Sequence, residues 1–442
     1  MTGRYRIAHA LAWLTALLLL ALLPLLAAWW QAPPVREYLV EFGVALGLIG
    51  LGLFLVQCLT SGRMAWVAAN YGTDNLAHFH RHLGLFAVLL VLSHPVLLLI
   101  VEPEWTSFLD PRVDWMRATS LWALLLALLT IIVSSQWRSK LGLSYEHWRA
   151  LHGLLAVVII VLGTGHALMV DHYLTSYWQK ALLVVMAAAG AGLVAWTRLI
   201  RPWLARHRPW QVVSVSPERG GARTVVLEPV GHEGLRFFPG QFAWFSFGPS
   251  PFSLQQHPFS LAGSTVSRQI CFTVDEVGDF TASLKHLERG DPAWVEGPFG
   301  AFIPDPDPGT ALLLVAGGIG VTPFASLLRS FRDRGMDHRV LLVYANPSLD
   351  QAALAEELEG LCTNESWELV HVLEDPPDGW QGETGQVDSE LLQRCLDRLS
   401  DHEGPLQVMT CGPEPMMDIV EVAMREQGIA WQRIYAERFE IV

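Results

Sequence analysis

Six apolar stretches in the first 200 residues limit what this chain can fold into more than any other feature. They lie at about Ile7–Trp30, Tyr38–Leu59, Phe79–Val101, Thr119–Trp137, Leu151–Val170 and Tyr177–Leu199. Each is close to the ~20 residues that an α-helix needs to cross a bilayer. Within lipid, only helices and closed barrels satisfy their own backbone polar groups. Residues 1–202 are therefore expected to form a six-helix transmembrane bundle. Arg4 and Arg6 ahead of the first stretch invite a cleaved-signal reading. Its apolar run outlasts the ~7–15 residues of a signal core, so a span is the expectation.

Charge divides the chain at the same place. Residues 1–200 carry nine acidic and twelve basic side chains, whereas the whole chain has 43 and 30, a net charge of −13. The second half is thus acidic and of soluble composition. A disordered chain, a fibrous chain and a wholly soluble enzyme are excluded. No nucleic acid is expected as a partner, because nothing basic is there to neutralise phosphates. Basic residues in short loops mark the cytoplasmic side. Arg4, Arg6, Arg63, Arg81, Arg138, Lys140, Arg149, Arg198 and Arg201 would share one side, leaving Arg36, Arg112, Arg117 and Lys180 on the other. The N-terminus and the soluble half are then cytoplasmic, on an inner or plasma membrane. The far rim would show Glu102, Glu104, Asp110, Asp114 and Asp171. Cys58, Cys271, Cys362, Cys395 and Cys411 have no CxxC spacing, so neither a zinc ribbon nor a disulfide framework is expected.

Histidines supply the chemistry of the membrane half. At ~100° per residue, a step of fourteen returns to within ~40° of the starting face and rises ~21 Å. His80 and His94 are fourteen apart, and so are His152 and His166. His78 and His82 stand at other angles to His94. Two helices, each with two histidines a leaflet apart, can clamp two haems. His80 with His152 would hold the inner one and His94 with His166 the outer. Ionisable groups inside a span are costly and usually functional. The rival, metal transport, wants carboxylates beside the histidines, and the central stretches of these spans have none. His78, His82 and His147 fall at the cytoplasmic rim, where haem propionates could lie.

From Pro209 the pattern changes to short β-like runs, among them Trp210–Val215, Arg223–Leu227 and Phe242–Phe247, punctuated by Gly and Pro. Residues 203–306 read as an antiparallel β-barrel. After that, Leu312–Ala316, Val340–Tyr344, Leu369–Leu373 and Gln407–Thr410 alternate with helical segments. Residues 307–442 read as an α/β doubly wound domain. Gly317-Gly318-Ile319-Gly320-Val321-Thr322-Pro323 links a strand to a helix opened by proline. A helix start of that kind suits a pyrophosphate.

Several motifs in order complete the pattern: Pro239-Gly240-Gln241-Phe242, His257-Pro258-Phe259-Ser260-Leu261, Gly278-Asp279-Phe280-Thr281, Glu296-Gly297-Pro298-Phe299-Gly300, the glycine loop, and Thr410-Cys411-Gly412-Pro413. Together they resemble the FAD and NAD(P)H signatures of the ferredoxin–NADP reductase superfamily. With the six spans and the histidine spacing, the whole chain resembles the ferric reductase and NADPH oxidase family in its prokaryotic form.

The resemblance implies roles. His257, Pro258, Phe259, Ser260 and Leu261 would lie along FAD, and Gly278, Phe280 and Thr281 near its phosphates. Gly317, Gly318, Gly320, Thr322 and Pro323 would cradle the nicotinamide dinucleotide, with Gly412 and Pro413 beside it. Cys411 would sit near the nicotinamide, and Phe439 would cover the flavin face, although Glu440, Ile441 and Val442 follow it here. Electrons would pass from NAD(P)H through FAD and two b-type haems to an acceptor outside. Ferric iron or its chelates, dioxygen (giving superoxide) and a periplasmic protein partner all remain open. Two departures matter. Tyr344-Ala345-Asn346-Pro347-Ser348 has no arginine for a 2′-phosphate, and Asp350 follows, so NADH, or weak discrimination between the two dinucleotides, is expected as readily as NADPH. Oxygen-reducing members carry a further histidine one turn past the outer ligand, where this chain has Leu98.

Overall fold

The computed structural model describes residues 3–30, 34–61, 73–363 and 366–438. They fall into two compact units, one comprising residues 1–67 and 75–202, the other chiefly 203–442.

The first unit is helical. Its elements are α1 (Gly3–Trp30), α2 (Tyr38–Leu59), α3 (Thr73–Val101), α4 (Trp115–Gln136), α5 (Tyr145–Val170) and α6 (Tyr177–Ala195). A π turn at Trp196–Ile200 and a last helical turn at Arg201–Ala205 extend α6. Among the described residues, six helices are long and apolar enough to cross a membrane, which makes this an integral multi-pass membrane protein. Four of the six helices, α1, α3, α4 and α5, start earlier than the apolar runs suggest. α5 begins at Tyr145 rather than Leu151 because Ser144 caps it, accepting from the His147 amide, and Asp114 caps α4 by accepting from Arg117. Apolarity marks contact with lipid, whereas capping marks where the backbone begins to coil.

α2 is the most enclosed helix of the bundle, and small residues put it there. A Cβ on Gly52 would lie 2.0 Å from the Ala21 carbonyl oxygen of α1, and one on Gly50 would lie 2.4 Å from Val91 of α3. Helices in lipid associate through such close backbone approach. Leu89, Leu126, Leu154 and Val185 face outward, where lipid replaces protein as the apolar neighbour.

The second unit holds two sheets. The first is antiparallel, in the order β4-β3-β6-β1-β2-β5. Its strands are β1 (Trp210–Pro217), β2 (Arg223–Pro229), β3 (Phe242–Phe247), β4 (His257–Ser260), β5 (Ile270–Val274) and β6 (Pro292–Phe299), and a short helix α7 (Asp279–Ser283) follows β5. Beyond β4 the chain bends to meet β5, and the Ala262 amide donates to the Cys271 carbonyl (2.7 Å). Trp210, Val225, Phe245 and Phe272 fill the interior.

The other sheet has six parallel strands in the order β10-β9-β8-β7-β11-β12. They are β7 (Ala311–Gly317), β8 (Val340–Asn346), β9 (Trp367–Leu373), β10 (Glu383–Thr384), β11 (Leu406–Cys411) and β12 (Ile434–Glu437). Helices α8 (Thr322–Arg334), α9 (Ala355–Leu361), α10 (Ser389–Arg398) and α11 (Glu414–Glu426) cover its faces. β7 is buried throughout and reads as a continuous apolar run, as expected for a strand covered on both sides.

Helix α8 ties the two sheets together. Phe324, Leu327, Leu328 and Phe331 pack into the parallel-sheet core. The opposite face serves the barrel: Ser326 donates to the Gly263 carbonyl (2.7 Å), and the Thr265 amide donates to Ser330 (3.0 Å). Arg329 donates to the Ala262 carbonyl (2.8 Å) and forms a two-pronged pair with Glu357 of α9. Burial alone would raise the Glu357 pKa, but the adjoining guanidinium outweighs it and holds the carboxyl below its usual range.

Candidate functional site

The four histidines selected by spacing meet as two pairs between α3 and α5. The ring centroids of His80 and His152 are 6.2 Å apart, and those of His94 and His166 are also 6.2 Å apart. Their hydrogen bonds settle which nitrogen is available. The His94 Nδ1 lies 2.8 Å from the Gly43 carbonyl oxygen. A carbonyl only accepts, so Nδ1 carries the proton and Nε2 keeps its lone pair. The His80 Nδ1 is 3.2 Å from the Thr60 hydroxyl, and the His152 Nδ1 is 3.2 Å from the Ser135 hydroxyl. Both hydroxyls already donate elsewhere, Thr60 to the Gln57 carbonyl and Ser135 to the Ile131 carbonyl. They therefore accept from the rings.

This is the outer-shell pattern of metal-binding histidines. Two imidazole nitrogens about 2 Å from one metal, each about 1.1 Å from its own ring centre, separate the centres by about 6 Å. Among the described residues, no three His, Cys, Asp or Glu side chains gather as a metal site. Two neutral nitrogens facing each other form the donor set of an axial clamp, with a macrocycle completing the coordination. A Cβ on Gly47 would fall 2.8 Å from the His94 Nδ1, so that position must stay bare. The residues fit a haem at each pair.

The flavin motifs also converge. β4 pairs with β3 and lies at the edge of its sheet, which leaves backbone donors and acceptors of His257–Ser260 facing outward. That edge fits a ring system laid along the backbone. The His257 ring stacks on Phe280 with centroids 3.8 Å apart, bringing the two motifs into contact. Ser260 and Leu261 are buried. Thr281 closes its own turn: its hydroxyl accepts from the Val277 and Gly278 amides (3.0 and 3.1 Å) and donates to the Gly278 carbonyl. The Pro239–Phe242 motif serves the fold, since Gln241 accepts from the Phe238 amide (2.8 Å) and donates to the Gly300 carbonyl (3.2 Å).

In the parallel sheet the chain runs outward from β7 in one direction through β8, β9 and β10 and in the other through β11 and β12. The order reverses between β7 and β11, and ligands of such sheets bind beyond the strand ends there. Gly317, Gly318 and Gly320 lie at that point, facing Cys411, Gly412 and Pro413. A Cβ on Gly320 would stand 2.2 Å from the Cys411 carbonyl oxygen, and one on Gly317 would stand 2.6 Å from Pro413. Gly318 has φ +51° with open space where a side chain would go. Pro323 opens α8, and Thr322 donates to the Ile319 carbonyl (2.8 Å), staying buried. The Cys411 side chain is fully buried. Phe439 lies outside the described residues.

Other features were not foreseen in the sequence. Asn346 is 4 % exposed at the end of β8. Arg219, from the barrel, donates to Glu356 (2.6 Å) and to the Leu349 carbonyl (3.4 Å), beside Asp350. No local sequence signal reports a contact across 130 residues. Arg329 is occupied by Glu357, and Arg332 pairs with Asp333 (2.9 Å). At the α3–α4 and α5–α6 connections Asp110, Asp114 and Asp171 are each met by a base, Arg112, Arg117 and Lys180.

A membrane bundle with clamped histidines, continued by a barrel and a doubly wound sheet, defines a multi-pass membrane protein with a flavin-reductase fold. Residues 46–163 match the ferric reductase like transmembrane component, and residues 314–422 match the oxidoreductase NAD-binding domain. A ferric reductase like transmembrane component is thus joined in one chain to ferredoxin–NADP reductase-type FAD/NAD-binding domains. NADH–cytochrome b5 reductase 1 of Arabidopsis thaliana is 37% identical over 143 residues, 31% of this chain and 50% of that protein. A probable dihydroorotate dehydrogenase B (NAD(+)) electron transfer subunit of Methanopyrus kandleri is 32% identical over 210 residues, 48% of this chain and 72% of that protein. The chain spans about half the length of the curated b5 reductases it matches. Among solved structures, the ferredoxin NADP+ reductase of Neisseria gonorrhoeae with bound FAD and NADP is 18% identical with a TM-score of 0.45, covering 52% of this chain and 98% of that one. The cytochrome b5 reductase domain of Ulva prolifera nitrate reductase is 18% identical with a TM-score of 0.46, covering 53% and 98%.

Proposed function

We propose that this protein carries electrons from cytosolic NAD(P)H to an acceptor on the opposite side of the membrane, with FAD in the barrel and one b-type haem at each histidine pair. The observation that carries this reading is the recurrence of one geometry at two levels of the bundle: facing imidazoles 6.2 Å apart, hydrogen-bonded through Nδ1 where the partner is seen. When bound, a flavin takes a hydride as two electrons and the haems pass electrons singly, which is why both kinds of group are needed.

The chain's own residues bind and orient. Gly317, Gly318 and Gly320 keep the β7–α8 turn close to the β11 end and leave amides for a pyrophosphate. β4 offers its open edge to the flavin, with His257 and Phe280 stacked beside it. Thr60, Ser135 and the Gly43 carbonyl hold three imidazoles in the tautomer that ligates. Three domains follow from this reading: residues 1–202 for the haems, 203–306 for FAD and 307–442 for the dinucleotide. Both termini lie on the cytoplasmic side.

Ferric iron or a ferric chelate is the acceptor we favour. Leu98, one turn past His94, lies 3.0 Å from where a Cβ on Gly43 would stand, and its hydrocarbon side chain offers no donor to a bound oxygen species. Steady-state turnover of the full chain, with ferric chelate and with oxygen in the presence and absence of superoxide dismutase, tests the choice. Dismutase-sensitive turnover that ignores ferric chelate would replace iron by dioxygen.

A further inference from the structure

We infer that the carboxylates of a haem held by His80 and His152 are received by Trp148 together with Arg138, Arg149 and Arg198; this rests on the haem reading above. The Trp148 Nε1 is buried with no hydrogen-bond partner among the described residues. A buried donor left unmade costs ~1–3 kcal/mol, so native structures rarely keep one without a ligand or ordered water to complete it. Trp148 stands one helical turn before His152 on the same face, and the two ring centroids are 5.2 Å apart. An unused N–H therefore lies beside the ligand itself.

Cations surround the same spot. The Arg138 guanidinium is 5.6 Å from the Tyr145 ring centre and 6.0 Å from that of Trp148. Arg149, 7 % exposed, is 5.6 Å from the Tyr145 ring. A Cβ on Gly153, the residue after His152, would lie 3.9 Å from the Arg198 Nε. The two segments that supply these groups, residues 134–153 and 194–205, hold five basic residues and one acidic residue, Glu146. A cluster of basic residues at the edge of a low-dielectric bundle raises the local positive potential, which draws an anion. The two propionates of a b-type haem have the right charge and number. The rim histidines offer less, because His78, His82 and His147 are exposed and His147 is engaged with Ser144 (2.7 Å).

The test is a potentiometric titration of the detergent-purified full chain, read at the haem absorption bands, for Trp148→Phe, Arg198→Gln and Arg198→Lys. His152→Ala identifies which titration step belongs to this pair. Trp148→Phe and Arg198→Gln should keep two low-spin haems and lower the midpoint of that step alone, since a neighbouring cation or donor favours the more electron-rich reduced haem. Haem transfer to apomyoglobin from this site should quicken by about tenfold or more, the worth of a hydrogen bond to a charged group. Arg198→Lys should restore the midpoint, which mere loosening of the helix would not allow. Wild-type midpoints in both substitutions, or equal shifts in both steps, overturn the inference. Absence of haem from the unmodified protein would instead overturn the reading beneath it.

Discussion

The bundle and the soluble half place their chemistry by opposite means. In the bundle, side chains do it: four imidazoles project from two helices, and helical periodicity brings them into register. In the soluble half the backbone does it: an open strand edge, a turn without side chains and two loops in contact through glycine. Periodicity can be read from a sequence by arithmetic, so the histidine pairs were legible residue by residue. Backbone geometry leaves only the trace of which side chains are missing. The resemblance puts Gly320 among the residues that would cradle a dinucleotide, yet its nearest constraint is the Cys411 carbonyl oxygen, a neighbour from the other end of the domain.

The comparison breaks most sharply at Gly47, where the bundle also relies on a missing side chain. Gly47→Leu should push His94 aside and remove one haem of two, and with it turnover to any acceptor across the membrane. Gly165→Ala, next to His166 but with nothing within 4 Å of an added carbon, should keep both. Haem quantified per polypeptide decides between them.

In the soluble half, Gly320→Val should lower kcat/KM for NADH and NADPH alike by about a hundredfold, because overpacking against backbone costs ~1–3 kcal/mol or more. Flavin content should stay near one per chain. Selective loss with one dinucleotide would show that the glycine reads the ribose end instead.

A smaller effect is expected at the seam between the sheets. Arg329→Ala removes the pair with Glu357 and the bond to Ala262. It should destabilise the soluble unit by about 2 kcal/mol, discounted for the partial exposure of Glu357. That corresponds to about 4–8 °C in Tm by calorimetry. The folded-state pKa of Glu357 is depressed, so its contribution is present at neutral pH and fades as pH falls below the carboxylate range. The variant should therefore differ from wild type less in acid than at pH 7.

Dinucleotide choice carries the smallest effect. Arg329 and Arg332 are paired, and the turn after β8 carries Asp350, whose charge would repel a phosphate. Preference for NADPH should stay below about tenfold in kcat/KM, under ~1.4 kcal/mol. A hundredfold preference would mean that Arg219 leaves Glu356 for the phosphate.

The spans and the strands β1, β2, β3, β7, β8, β9 and β11 are readable from apolar runs and turn residues, whereas β4, β5, β6, β10 and β12 are too short or too mixed in pattern to stand out. Unreadable were contacts made across sequence. Arg219 meets a turn 130 residues away, and Asp110, Asp114 and Asp171 are matched by Arg112, Arg117 and Lys180. Thr281 and Thr322 carried the right motif, but their hydroxyls hold backbone turns in this fold.

Haem content and spectra of four single variants test the central claim most directly. The unmodified chain should bind two b-type haems with low-spin, bis-histidine spectra. His80→Ala and His152→Ala should each lose one and the same haem, and His94→Ala and His166→Ala should each lose the other, so the four fall into two spectroscopically distinct pairs. Full haem content in all four variants, or a pairing of His80 with His94, would contradict the account.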